Sequence, residues 1–470
     1  MIFLVFIELI LLLLLSIYEL GGGMVPNELL IYFLLAVQVT SLYYGYSQIK
    51  SRPLFFLMVS MFILFIYSRF MLEAFNLMPY NISWASRFVQ YNFPIPTLNE
   101  TIFVYLYASV FFLLGFYLTN RVCKKQIKYR DPLNLNVPNN FLLICYKIGV
   151  CLLILSLPGM GLKLITTMQH VLTYGYHGFY TGIEQSSLER LVEFISYKFF
   201  ILGLSFYLVA PLTTKKFFRV SLLMIVVSGV YLFLGKRAEF GITIMFILWY
   251  WLSYQRRPSS KGAFKLKRKT RVLLALLVPS LILSMQYVGK IRGGQTSNDL
   301  HVVSSIVEQG VSGIILPYYI DYKKEMPDHS MPYILAPIVD RMARGGQSVE
   351  TIKNTNYLSH HLTYTLDQKA YFSGEGLGTS FIVELYSINI AFVIFGMFVL
   401  GSFISIFEGN KNHPAFKFAS YMIMTTLFFL PRGAIFEYFY EIIFFMCFFI
   451  FIKNLYYSAR KNSQHFPTYS

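Results

Sequence analysis

The chain has 470 residues, of which 56% are hydrophobic and only 13% charged, and it carries a net charge of +17. Soluble domains hold roughly 25% charged residues, so an ordinary soluble protein is excluded. The surplus of Lys and Arg reads as the inward bias of membrane-protein loops, and no nucleic-acid partner is expected.

Apolar runs fall at 2–18, 29–47, 54–72, 101–119, 141–158, 195–211, 217–234, 239–255, 272–288, 386–407, 416–431 and 435–453. Each approaches the roughly 20 residues that cross about 30 Å of hydrocarbon as a helix. The pattern predicts an all-α polytopic membrane protein of about 12 transmembrane helices. The first run, "MIFLVFIELILLLLLSIYEL", lacks a charged n-region and a small-residue cleavage site, so it is expected to be retained as a helix. Nine spans are expected over 1–288. A large, partly helical extracytoplasmic loop follows over 289–385, and the last three spans with a cytoplasmic tail occupy 386–470.

The most basic loop, "RRPSSKGAFKLKRKTR" at 256–271, fixes the cytoplasmic face. Counting outward places "QIKSRP", "NRVCKKQIKYR", "TTKKFFR", "EGNKNHPAFK" and "KNLYYSARK" on the same side, with both termini inside. The other face receives 73–100, 159–194, the turn 235–238, 289–385 and "PRGAIFE". Cys123, Cys145, Cys151 and Cys447 then lie in helices or on the cytoplasmic side, and no disulfide framework is expected.

This siding leaves several cations out of place. Lys236 and Arg237 in "GKRAEF", Arg69 and Arg432 all fall toward the outer face, which short loops normally keep poor in positive charge. Each costs roughly 2.5–3.5 kcal/mol if drawn to mid-membrane, less near the interface. Snorkelling to lipid phosphate explains any one of them; together they point to an anionic ligand. The long loop adds Lys290 and Arg292 in "GKIRGGQ", and Arg341 and Arg344 in "DRMARGGQS". Three apart, Arg341 and Arg344 share a helix face and form a fork that matches phosphate or carboxylate oxygens. Ser348 joins that face if the helix runs past Gly345 and Gly346. A salt bridge to Asp340 or Glu350 is the bland alternative. Within the same loop, "LHVVSSIVEQGVSGIILPYYI" (300–320) is expected to lie as a helix on the membrane surface, and 332–352 reads as a second helix start.

In "FSGEGLGTSFIVELY" (372–386), Gly374, Gly376 and Gly378 precede Thr379, Ser380 and an apolar run. Such a turn at a helix start presents backbone N–H groups to an anion, or is simply a flexible re-entry into the membrane. Glu384, one turn into the apolar segment, needs a partner or a function. Glu239, Asp340, His360, His361 and Glu375 are further candidates for a general base. "SHHLTY" has no metal-ligand spacing and no nucleotide fingerprint occurs, so no metal and no cofactor are expected. The aromatic stretch 172–182 reads as an interfacial belt ahead of a sugar-stacking surface. "NIS" and "NET" match the N-glycosylation triplet, a pattern common by chance.

The whole architecture resembles the bacterial O-antigen and capsule repeat-unit polymerases, the Wzy-type family. Locally the resemblance rests on "GKRAEF", "RMARGGQS" and "GEGLGTSFIVELYSIN". Gly235, Lys236, Arg237 and Glu239 match a G-K-R-G-E pattern with Ala238 in place of its second glycine. Gly376, Gly378, Ser380, Glu384, Tyr386 and Asn389 look like the family's glycine turn followed by Ser, Glu, Tyr and Asn. Ile390-Ala391 replaces the Phe-Gly often found next, and an Arg-x10-Gly motif is absent. The resemblance implies a glycosyltransferase that transfers a growing glycan from a polyprenyl diphosphate carrier onto the next carrier-linked repeat unit, at the outer leaflet of the plasma membrane. Its partners are then the lipid-linked donor and acceptor, the bilayer, a chain-length regulator and a flippase. Lys236, Arg237, Arg292, Gly376, Gly378, Ser380 and Arg432 are expected to bind diphosphate. Glu239, Arg341, Arg344 and Glu384 are expected to serve catalysis. A lipid-linked-oligosaccharide flippase, an O-antigen-ligase-like transferase and a non-catalytic scaffold are the competing readings. The long outer loop and its scattered cations weigh against the first and the last.

Overall fold

The computed structural model describes residues 2–77, 92–129, 139–174, 187–233, 237–255, 302–340 and 347–463. Among these residues all regular structure is helical. Eight helices are long and apolar enough to cross a membrane. They are α1 (Phe3–Leu20), α2 (Asn27–Gln48), α3 (Pro53–Ala74), α4 (Ile95–Val122), α5 (Asn139–Thr173), α6 (Leu188–Val209), and, late in the chain, the helices Ile390–Asn410 and Phe439–Ser458. Three more expected spans are helices that fall short. Helix α7 (Thr214–Phe233) opens on Lys215, Lys216 and Arg219, and α8 (Arg237–Tyr250) has 14 residues before its π turn. The third, Pro414–Phe429, has 16 residues. The expected span 272–288 lies outside the described residues.

Short helices occupy the described part of the expected outer loop: α9 (Val302–Gln309), α10 (Ile315–Tyr322), α11 (Ala336–Val339), α12 (Val349–Asn354), α13 (Leu358–Leu366), α14 (Gln368–Phe372) and α15 (Phe381–Tyr386). The long helices α16 (Ile390–Asn410), α17 (Pro414–Phe429) and α18 (Phe439–Ser463) complete the chain.

Close helix packing follows from small residues. A Cβ on Gly115 of α4 would collide with the Phe398 carbonyl of α16, and one on Gly401 of α16 would collide with the Phe112 carbonyl of α4. The two glycines thus let these backbones meet, as small residues do between membrane helices. Around the pair, Phe55, Phe112 and Phe116 stack with centroids 4.0–5.2 Å apart. A second apolar cluster joins α5, α6, α17 and α18 through Phe141, Phe206, Phe418 and Phe449.

The segment 302–322 is helical as expected but does not lie on a surface. Gly310, Ser312, Ile314, Ile315, Leu316 and Tyr318 are buried, and the segment packs on α3 and α4. Arg69 of α3 donates from Nε to the Val307 carbonyl (3.1 Å), and Tyr105 of α4 donates to the Gly313 carbonyl (3.0 Å). These bonds satisfy backbone acceptors that water cannot reach. Arg69, one of the cations singled out by the sequence, therefore works as a buried brace between the third span and α9.

Two ends of the bundle carry buried charge. At the 405–411 end of α16, Arg52, Glu408, Lys411 and Trp249 form one network. At the other end, the glycine turn before α15 meets Arg432.

Candidate functional site

The glycine turn 373–380 sets the site. Gly378 has φ +80°, a left-handed conformation that side chains disfavour by roughly 1–2 kcal/mol. A Cβ there would sit 4.0 Å from the Arg432 carbonyl oxygen, so the turn lies directly against the end of α17. Ser380 then stands immediately before α15, where a hydroxyl ordinarily accepts from the first turn's N–H groups. It makes no such bond, and its Oγ is buried without a partner.

Glu384 follows one helical turn later and is only 2% exposed. Its Oε1 accepts from the Thr379 hydroxyl at 2.9 Å, while Oε2 is buried with no partner. Burial pushes its pKa up to about 8, and the nearby Glu437 carboxylate acts in the same direction. A third open atom belongs to this turn: Gln347 donates from Nε2 to the Glu375 carbonyl (2.9 Å), leaving its Oε1 buried and unpartnered. Arg432 is half-buried in the single turn Leu430–Arg432; it donates to Gln309 Oε1 (3.1 Å) and lies 5.3 Å from the Phe65 ring centroid.

The rest of the motif is scaffold. Tyr386 donates a short hydrogen bond to Glu100 of α4, and Asn389 caps α16 by accepting from Phe392 N at 3.1 Å. Gly376 needs no special conformation: a Cβ would rest 3.5 Å from Gln347 Nε2 and 3.6 Å from Thr363 Oγ1, an ordinary contact.

Glu239 occupies a different place. It lies exposed in the first turn of α8 and borders a cavity of ≈ 110 Å³ together with Tyr197, Tyr231, Tyr421, Tyr438 and Glu441. The chain itself links the two places. Glu437 is close enough to act on Glu384, and the next residue, Tyr438, lines the Glu239 cavity.

Lys236, Arg292, Arg341 and Arg344 lie outside the described residues, as does the side chain of Arg237. Ser348 does not continue a helix past the glycines. It caps the separate helix α12, accepting from Thr351 N at 3.1 Å. Asp340 is committed to structure, its Oδ2 accepting from Asn356 backbone N (2.5 Å) and Nδ2 (3.0 Å). The His pair lies on α13 and not on an open loop. His361 is buried, with Nδ1 3.2 Å from the Tyr333 hydroxyl and Nε2 3.2 Å from the Ile352 carbonyl, and burial lowers its pKa. His360 Nδ1 lies 3.0 Å from the Tyr371 hydroxyl. Asn99 of "NET" is buried and donates to the Val25 carbonyl (3.0 Å), which removes it as a glycan acceptor; "NIS" lies outside the described residues.

Sequence reasoning reached Glu384, Ser380, Gly378 and Arg432 through the cost of intramembrane charge and the glycine turn. It missed Gln309, Phe65 and Glu437, which carry no local motif, and did not single out Gln347 within "RMARGGQS"; all four matter through contacts distant in sequence.

A family model described as O-antigen polysaccharide polymerase Wzy matches residues 1–461. No curated protein and no solved structure matches the chain.

Proposed function

The chain belongs to the O-antigen polysaccharide polymerase Wzy family, and we propose that it joins polyprenyl-diphosphate-linked oligosaccharide repeat units at the outer leaflet of the plasma membrane. The product is O-antigen, capsule or exopolysaccharide. In this reaction a hydroxyl oxygen of the acceptor sugar attacks the anomeric carbon of the donor. The bond from that carbon to the diphosphate oxygen breaks, the lipid diphosphate leaves with the electron pair, and the hydroxyl proton passes to a base.

The observation that supports this reading most is the open group at the glycine turn: Ser380 Oγ, Gln347 Oε1 and Glu384 Oε2, all buried and unpartnered, with the backbone carbonyl of Arg432 against the same turn. A buried polar atom left unpaired costs about 1–3 kcal/mol, and a bound ligand removes that cost. Glu384 is the base. Its pKa of about 8 gives it useful basicity near neutral pH, where general bases work best. Arg432 and the backbone N–H groups around Gly376 and Gly378 face the leaving diphosphate, joined by Lys236, Arg237, Arg292, Arg341 and Arg344. Fixed positive groups of this kind each stabilise such a transition state by a few kcal/mol.

The glycan ladder of a strain lacking the protein tests the activity. Single repeat units exported and attached, with no longer chains, are expected. Lipid-linked units held on the inner leaflet would make the protein a flippase, and long chains made but left unattached would make it a ligase. In the complemented strain, Arg344→Ala should insert normally and give no long glycan; normal chain lengths would remove Arg344 from the site.

A further inference from the structure

The cavity beside Glu239 is lined by other residues than those of the glycine turn. Its walls come from α5, α6, α7, α8, α17 and the start of α18, and among the described residues that line it there is no Lys or Arg; Lys163 lies over the Tyr197 ring, 4.9 Å from its centroid. Lys198 donates to Glu441 Oε1 at 2.6 Å. Four phenols converge on it: Tyr197 lies within electrostatic reach of Tyr231, Tyr421, Tyr438 and the Glu441 carboxylate. Tyr231 is in turn within reach of Glu239 and Glu193. Between these groups the wall presents the hydroxyls of Ser228, Thr243 and Thr425. The remainder is aliphatic, thioether and, at Phe200, phenyl surface.

An anion would meet repulsion from Glu239, and Glu441 already holds Lys198 as its counter-charge. A lipid tail would bury two carboxylates against hydrocarbon, which is costly for a charged group. A neutral sugar ring fits both kinds of wall. Its C–H faces lie on tyrosine rings, and its hydroxyls donate to carboxylate oxygens in charge-assisted hydrogen bonds. The space, ≈ 110 Å³, is several times the roughly 10–15 Å³ that one water molecule requires. Tyr438 lines it, and the next residue back in the chain, Glu437, lies within electrostatic reach of Glu384.

We propose that this cavity is the acceptor-sugar subsite, in which Glu239 and the tyrosines hold a neutral sugar ring of the incoming repeat unit close to the base Glu384. The assignment rests on the polymerase reading. It divides the work between the two motif carboxylates: Glu384 takes the proton, and Glu239 accepts hydrogen bonds from sugar hydroxyls that do not react. Segment 433–438 stands between the two subsites and sets their spacing.

Two probes separate the possibilities, both applied to the full-length protein in nanodiscs. One is the repeat-unit oligosaccharide released from its lipid carrier by mild acid. The other is polyprenyl diphosphate without sugar. The expected result is that Glu239→Gln and Tyr231→Leu each weaken oligosaccharide binding by about tenfold, the scale of one charge-assisted hydrogen bond or one aromatic contact. Both variants should keep wild-type affinity for polyprenyl diphosphate, which also shows that they fold. Tyr231→Phe, which keeps the ring, should retain most of the oligosaccharide affinity. Oligosaccharide binding unchanged in both Glu239→Gln and Tyr231→Leu would overturn the subsite. Loss of polyprenyl diphosphate binding with the oligosaccharide unaffected would overturn it in favour of a lipid-chain channel. Failure of the wild-type protein to bind either probe would instead remove the polymerase reading on which the subsite rests.

Discussion

The two charged ends of the bundle contain similar residues and are built in opposite ways. At one end every oxygen of Glu408 is used. Oε1 accepts from Leu54 N (2.8 Å) and Trp249 Nε1 (2.9 Å), and Oε2 accepts from Lys411 Nζ (2.9 Å). Lys411 also donates to the Ser51 carbonyl (2.7 Å), Arg52 reaches the Ser405 carbonyl (2.9 Å), and Tyr254 donates to the Lys411 carbonyl (2.7 Å). At the other end Glu384 is equally buried, yet has one hydroxyl partner and one open oxygen beside an uncapped serine. A fully satisfied buried network fixes one structure, whereas a partly satisfied one carries a cost that only a further partner removes. The first end is a clamp joining α3, α8 and α16. The second holds the open atoms of the proposed site.

Exchanging the carboxylates in turn breaks or sharpens this contrast. Glu384→Gln keeps the shape and removes the proposed base, so the polymerisation rate should fall by about 10²–10⁴-fold while the amount of folded protein in the membrane is unchanged. A rate within threefold of wild type would place the proton elsewhere. The wild-type rate should also depend on pH with a defined sign. The base acts deprotonated, so kcat/KM rises with pH up to about 8 and levels off above it. The rising limb should disappear in Glu384→Gln; if it persists there, another group titrates.

Glu408→Ala should do the reverse. It strands Lys411 and the Trp249 N–H, and losing one partner of a buried charge network destabilises by about 3–5 kcal/mol. Thermal unfolding in detergent should show the loss directly, and an unchanged transition would mean that the clamp is not structural. Smallest is Gly378→Ala. Its positive φ makes a side chain cost about 1–2 kcal/mol, and the turn it relaxes sits against Arg432. A modest drop in unfolding temperature with a larger drop in polymerisation rate is expected. Equal, small effects on both would make the turn mere connection.

The same contrast shows what a single chain discloses. The spans were legible because hydrocarbon demands long apolar runs, and Glu384 because a carboxylate in such a run needs a reason. The clamp was not legible: "QIKSRP" and "EGNKNHPAFK" read as exposed basic loops, and their burial depends on contacts between residues more than 350 positions apart. Likewise 302–322 has the amphipathic spacing of a surface helix, but its apolar face found the third span instead of lipid. The structure turned Arg69 from a candidate ligand into a brace by placing the Val307 carbonyl beside it. Glu239 and Glu384 looked alike in sequence and separated only once Glu239 was found lining a cavity with Tyr438, away from the glycine turn that holds Glu384.

The most direct measurement is the glycan ladder of cells that carry Glu384→Gln at wild-type protein level, in place of the native chain. The expected ladder stops at a single repeat unit. A ladder of normal length would contradict the assignment of the open cluster as the catalytic site.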